Sequence, residues 1–121
     1  MSGKPISAAE GGGPVRIRLG PPTLLGARAL LPVAAGPHRL VLVRDGDRIV
    51  AAERACPHEG ADLALGRCAA GRLHCPRHLA SFDLASGAVS PGWFFRALRL
   101  FPVEIADDGV WVTIDGGGSA P

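Results

Sequence analysis

The sequence is poor in several features, and each shortage narrows the class of protein. Lys4 is the one lysine in a 121-residue chain of net charge +2, and the remaining positive charge is arginine scattered along the length. With no clustered basic stripe, nothing marks a nucleic-acid partner. Cysteines number three, an odd count unlike the even disulfide framework of a small secreted protein. The opening "MSGKPISAAEGGG" lacks the apolar stretch of a signal peptide, so a reducing, cytoplasmic setting is expected. Long hydrophobic runs are missing too. "TLLGARALLPVAAG" is broken by Arg28 and Pro32 and is too short for a bilayer, so a soluble protein with no membrane span or anchor is expected.

What is abundant points to strands. Seventeen glycines and eleven prolines in a chain that is 47% hydrophobic argue for many turns between short β-strands, and the length suits one domain. The fold class expected is all-β. Residues 1–14 and 116–121 have little to bury and read as flexible tails around a folded domain at 15–115. "VRIRL", "ARALLPVA", "RLVLV" and "RIVAAE" read as strands, with Asp45-Gly46 turning a hairpin between the last two. A second hairpin is expected from "LRLFPVEI" and "VWVTID" through "ADDG". Between these groups, residues 55–92 are rich in Cys, His, Gly and Pro.

That segment carries the chemistry. Cys56 and His58 form a C-x-H pair, and Cys75 and His78 form a C-x-x-H pair, with sixteen residues between His58 and Cys75. Two thiols and two imidazoles on proline-stiffened loops make a metal site the leading reading. A lone zinc ion accepts the same donors, but zinc fingers pair like residues within each half, whereas here each half offers one Cys and one His. That mixed pairing suits two adjacent metal centres, with both cysteines on one iron and both histidines on the other. A catalytic Cys–His pair would leave the second Cys and His without a role.

On these residues, "CPHEGADLALG" followed by "LHCPRHLASFDLASG", the chain resembles a Rieske-type [2Fe-2S] protein, a likeness running over roughly residues 28–115. The resemblance implies an antiparallel β-sandwich with a small cluster-binding subdomain (residues 55–92) inserted between strands. It implies Cys56, His58, Cys75 and His78 as ligands of a Rieske [2Fe-2S] cluster. Pro57, Gly60 and Pro76 then shape the two ligand loops, Gly60 freeing amides to point at sulfurs, and Pro91 in "SPGW" belongs to a third loop shielding the cluster. High-potential members join their loops by a disulfide, but the corresponding positions are Ala61 and Arg77. Their Ser and Tyr donors to the cluster sulfurs correspond to Ala80 and Phe82. Reduction adds one negative charge, and missing donors leave it less stabilised, so a potential of about −150 mV is expected, at the low end for Rieske centres.

The resemblance therefore points to the low-potential, oxygenase-associated Rieske ferredoxins. It implies a one-electron carrier with no substrate turnover of its own, passing electrons from a flavin-dependent ferredoxin reductase to a ring-hydroxylating or related terminal oxygenase. Transfer would be outer-sphere, through the outward edges of His58 and His78. The alternative is a small Rieske-like subunit of a reductase such as nitrite reductase. Glu59, Arg77, Leu79 and Trp93 are candidates for partner docking. Read as a strand, "GWFFRALRLF" cannot bury Trp93, Phe94 and Phe95 on one face, so at least one is expected to be exposed. Cys68, His38 and His74 are not expected to be ligands.

Overall fold

The computed structural model describes residues 14–58, 60–77 and 79–114. The expected tails 1–14 and 116–121, all but Pro14, lie outside the described residues, together with Glu59, His78 and Asp115. In chain order the strands are β1 (Val15–Gly20), β2 (Leu30–Ala35), β3 (His38–Asp45), β4 (Arg48–Glu53), β5 (Arg67–Ala69), β6 (Arg72–His74), β7 (Ser81–Asp83), β8 (Leu100–Phe101), β9 (Val103–Ala106) and β10 (Gly109–Ile114). Among the described residues they form three antiparallel sheets, ordered β1-β10-β9, β2-β3-β4-β8 and β5-β6-β7. No helix among the described residues is long and apolar enough to cross a membrane.

The all-β class and both expected hairpins are present. Asp45 pairs with Arg48 across the first turn, and Ala106 pairs with Gly109 across the second. The expected strand "LRLFPVEI" is instead two strands in different sheets. Pro102 separates them: it has no N–H to give a ladder, and the chain passes there from the central sheet, in β8, to the outer sheet, in β9. Pro32 is accommodated without a break because β2 is an edge strand.

The central sheet has a core on each face. Leu40, Leu42 and Ala51 pack with Val110, Val112 and Ile114 of β10, the inner face of a two-sheet sandwich. Val41, Val43 and Ala52, one residue out of phase on the same strands, pack with Leu63, Leu73, Phe82, Leu84 and Leu98 of the inserted segment. Strand alternation explains the split, and it explains why "LVLV" is apolar without interruption: each parity meets its own core. The β5-β6-β7 sheet therefore sits on the far side of the central sheet from β10, carried by β4 leading in and β8 leading out.

Candidate metal centre

Two six-residue loops of matching construction project from this inserted unit. The first, 56–61, lies between Ala55 and Asp62, which form an isolated antiparallel bridge. The second, 75–80, lies between His74 and Ser81, paired at the β6–β7 junction. In each, the cysteine amide donates to the carbonyl of the alanine five positions on: Cys56 to Ala61 at 2.8 Å and Cys75 to Ala80 at 3.1 Å. Both loops begin Cys-Pro and end on a buried alanine. Gly60 has φ +78°, a conformation that favours glycine, and its amide donates to the Cys56 carbonyl at 2.7 Å. That amide is therefore committed to closing the turn rather than aimed at a sulfur.

The closure turns both cysteines inward. Cys56 and Cys75 are 2% and 6% exposed, are not disulfide-bonded, and belong to the same buried cluster as Leu63, Leu73, Phe82 and Leu98. His58 is exposed at the surface of the first loop. Three of the four expected ligands are thus brought to one end of the molecule, and the fourth, His78, lies outside the described residues. Among the described residues no three His, Cys, Asp or Glu side chains close on one point as a single ion requires. Two buried soft thiols, one on each loop, with an imidazole at the rim, are donors of the kind an iron–sulfur cluster takes.

Within the buried cluster the neighbours of Cys75 are apolar, whereas Cys56 also feels the Arg96 guanidinium. Ala80 and Phe82 are fully buried and offer no hydroxyl, while the nearby Ser81 hydroxyl accepts from Arg72 Nε at 2.8 Å. On the first loop, Arg54 donates to both carboxylate oxygens of Asp62 at 2.8 Å, and Asp62 also caps the short 3₁₀ turn Leu63–Leu65 through the Ala64 amide. The Arg54 guanidinium holds the Asp62 carboxyl below its ordinary range, burial opposing in part. Cys68 lies on β5, half-buried, its thiol 3.4 Å from the Arg44 carbonyl and pushed up by burial, as suits a packing residue.

"GWFFRALRLF" is not one strand: residues 92–99 cross the site as a loop. The Phe95 ring stacks on His58 with centroids 4.9 Å apart and planes 8° from parallel, and Trp93 tilts against the same imidazole at 5.6 Å. Phe94 is the exposed member of the three, at 96%. Trp93, expected as a docking residue, is half-buried here, because a loop frees each side chain from strand alternation. Pro91 is exposed, and the contacts to His58 come from Trp93 and Phe95. Of the other docking candidates, Arg77 is exposed and Leu79 is 92% exposed.

Sequence reasoning did not single out Phe95 as a partner of His58, nor Glu53 and Arg96, which meet across 43 residues of chain. The Pro91-Gly92 pair was the available signal: it ends a strand and makes alternation the wrong period for the residues after it.

Residues 17–102 match the Rieske [2Fe-2S] domain family. The chain is 34% identical over 80 residues to human apoptosis-inducing factor 3, covering 66% of this chain but spanning only 13% of that protein. It is 30% identical over 80 residues to the anthranilate 1,2-dioxygenase ferredoxin subunit of Burkholderia cepacia, covering 66% of this chain and 74% of the subunit. Its fold matches a chain in the solved complex of reduced oxygenase and oxidized ferredoxin in carbazole 1,9a-dioxygenase, with a TM-score of 0.72 at 23% identity, over 84% of this chain and 95% of that one. Twin Cys-Pro loops on an antiparallel frame, inside a match that spans both, place the chain in the Rieske [2Fe-2S] domain family, whose cluster is held by two cysteines and two histidines.

Proposed function

We propose that the chain is a low-potential Rieske ferredoxin, carrying single electrons from a flavin-dependent reductase to a ring-hydroxylating or related oxygenase in a reducing cytoplasm, without turning over a substrate itself. Cys56, His58, Cys75 and His78 are its ligand residues, and residues 15–115 its domain. When bound, the cluster supplies a reversible one-electron couple. The chain's own part is to bury both thiols, close each loop on its own alanine, and leave the His58 edge at the surface.

The observation that carries this reading is the pair of loops with a shared closing bond, a buried cysteine in each, and an exposed imidazole on the first. The likeness to a dioxygenase ferredoxin subunit supports the oxygenase as partner. At the second loop, Arg67, His74, Cys75, Pro76, Arg77 and Leu79 line a shallow depression of about 290 Å³, and the exposed Arg77 and Leu79 on it suit contact with a partner surface. The low potential follows from the apolar surroundings of Cys75, where Ala80 and Phe82 replace hydroxyl donors. Redox titration of the reconstituted protein tests it: a midpoint toward the low end of the Rieske range and rapid reduction by a flavin reductase are expected. A high potential, or no reducible chromophore after anaerobic reconstitution, would overturn it.

A further inference from the structure

We infer that Phe95 is a positioning residue for His58, and that Glu53, at the strand end leading into the first loop, holds it in place through Arg96. The redox consequence rests on the reading of His58 as a ligand; the stack itself belongs to the chain alone.

The Phe95 ring meets three others, Trp93 among them edge-on at 6.1 Å. One face lies nearly parallel to the His58 imidazole, and the ring also meets Phe82 of the buried core, centroids 5.9 Å apart. An aromatic plane backed by the core narrows the ring orientations open to an exposed imidazole and excludes water from one of its faces.

Phe95 sits in a segment without regular backbone pairing, so its position depends on how that segment is anchored. At the near end, the Ser90 amide donates to the Ser81 carbonyl at 2.8 Å, and the Ser81 amide donates to Ser90 Oγ at 3.1 Å. At the far end, Arg96 grips the Glu53 carboxylate with two bonds of 2.6 and 2.7 Å, and the Arg99 amide donates to Glu53 Oε2 at 2.8 Å. The Glu53 amide donates in turn to the Arg99 carbonyl at 3.1 Å. Leu98 donates to the Gly87 carbonyl at 2.9 Å, an approach so close that a Cβ on Gly87 would lie 2.1 Å from the Leu98 oxygen. A charge-assisted bidentate pair one residue from Phe95 is the strongest of these holds. Since Glu53 stands three residues before Cys56, the residue that fixes the aromatic cover also fixes the strand that presents the ligand loop.

The test uses the full chain in two states. In metal-free protein the His58 ring protons, lying over Phe95, should resonate upfield by nuclear magnetic resonance. Phe95→Leu should move them downfield, Phe95→Tyr should keep them near the wild-type position, and Glu53→Gln should move them part of the way. In cluster-loaded protein Phe95→Leu should reorient the histidine nitrogen coupling seen by pulsed electron spin resonance and shift the potential upward, because readmitted water stabilises the added negative charge. The exposed Phe94→Ala should match wild type in every readout. Unmoved His58 shifts in Phe95→Leu would overturn the stack, unmoved shifts in Glu53→Gln would overturn the clamp, and a Phe94→Ala effect equal to that of Phe95→Leu would overturn both. Loss of a Rieske-type signal from wild type would remove the proposed function while the metal-free measurement still decided the positioning.

Discussion

The two Cys-Pro loops share a closure and differ in what surrounds them. Each is six residues long, starts Cys-Pro, and is shut by the cysteine amide on an alanine carbonyl. The first is braced: Arg54–Asp62 grips its end, and Phe95 and Trp93 cover its histidine. In the second, Arg77 and Leu79 are exposed beside a shallow depression that Cys75 also lines. The same closing bond thus recurs in both loops, while Gly60 adds a second one in the first, and side chains outside that loop hold and cover it.

If both loops are needed for the cluster, the largest effect comes from breaking either one. Cys56→Ala and Cys75→Ala should each abolish bound iron and acid-labile sulfide, to the same extent; retention of the cluster by one of them would show that the loops are not equal partners. Next in size is the brace on the first loop. Asp62 titrates below its ordinary value in the folded chain, so the stability it contributes is complete above the unfolded carboxylate pKa of about 4 and is lost as pH falls through the lower folded value. Asp62→Asn should therefore lower the melting temperature at neutral pH, with the difference from wild type shrinking below about pH 4. It should also speed amide exchange in residues 56–61 more than in 75–80.

A smaller change sharpens the comparison at the second loop. Ala80→Ser places a hydroxyl beside Cys75, and a hydrogen bond to a charged sulfur should favour the reduced state by roughly 1–2 kcal/mol, read as a rise in midpoint potential. Smallest of all, Leu79→Ser should leave the melting temperature nearly unchanged, since an exposed side chain contributes about 0.5 kcal/mol at most. It should nevertheless slow electron exchange with the proposed oxygenase partner, and an unchanged rate would remove this loop from the proposed contact.

Much of this was legible in the chain. The Asp45-Gly46 hairpin, the "VWVTI" strand and the Cys-Pro loops are local signals, set by turn chemistry and alternation within a few residues. Three features were not. Pro102 was absorbed into a strand because alternation continues on both sides of it, although the two sides belong to different sheets. The Glu53–Arg96 clamp joins residues with no local relation. Phe95 was grouped with its neighbours as strand, and only tertiary packing separates the ring on His58 from the exposed ring beside it. The twin closure was half visible: "CPHEGA" and "CPRHLA" share their first two residues and their last, but that the shared alanine accepts the closing bond emerges only in three dimensions.

The most direct test counts histidines on the cluster. Reconstituted protein labelled with ¹⁵N only in histidine, reduced and examined by pulsed electron spin resonance, should show two coupled nitrogens, falling to one in His58→Ala or His78→Ala if a signal survives. A reduced cluster with no histidine coupling would contradict the assignment of one Cys and one His to each loop.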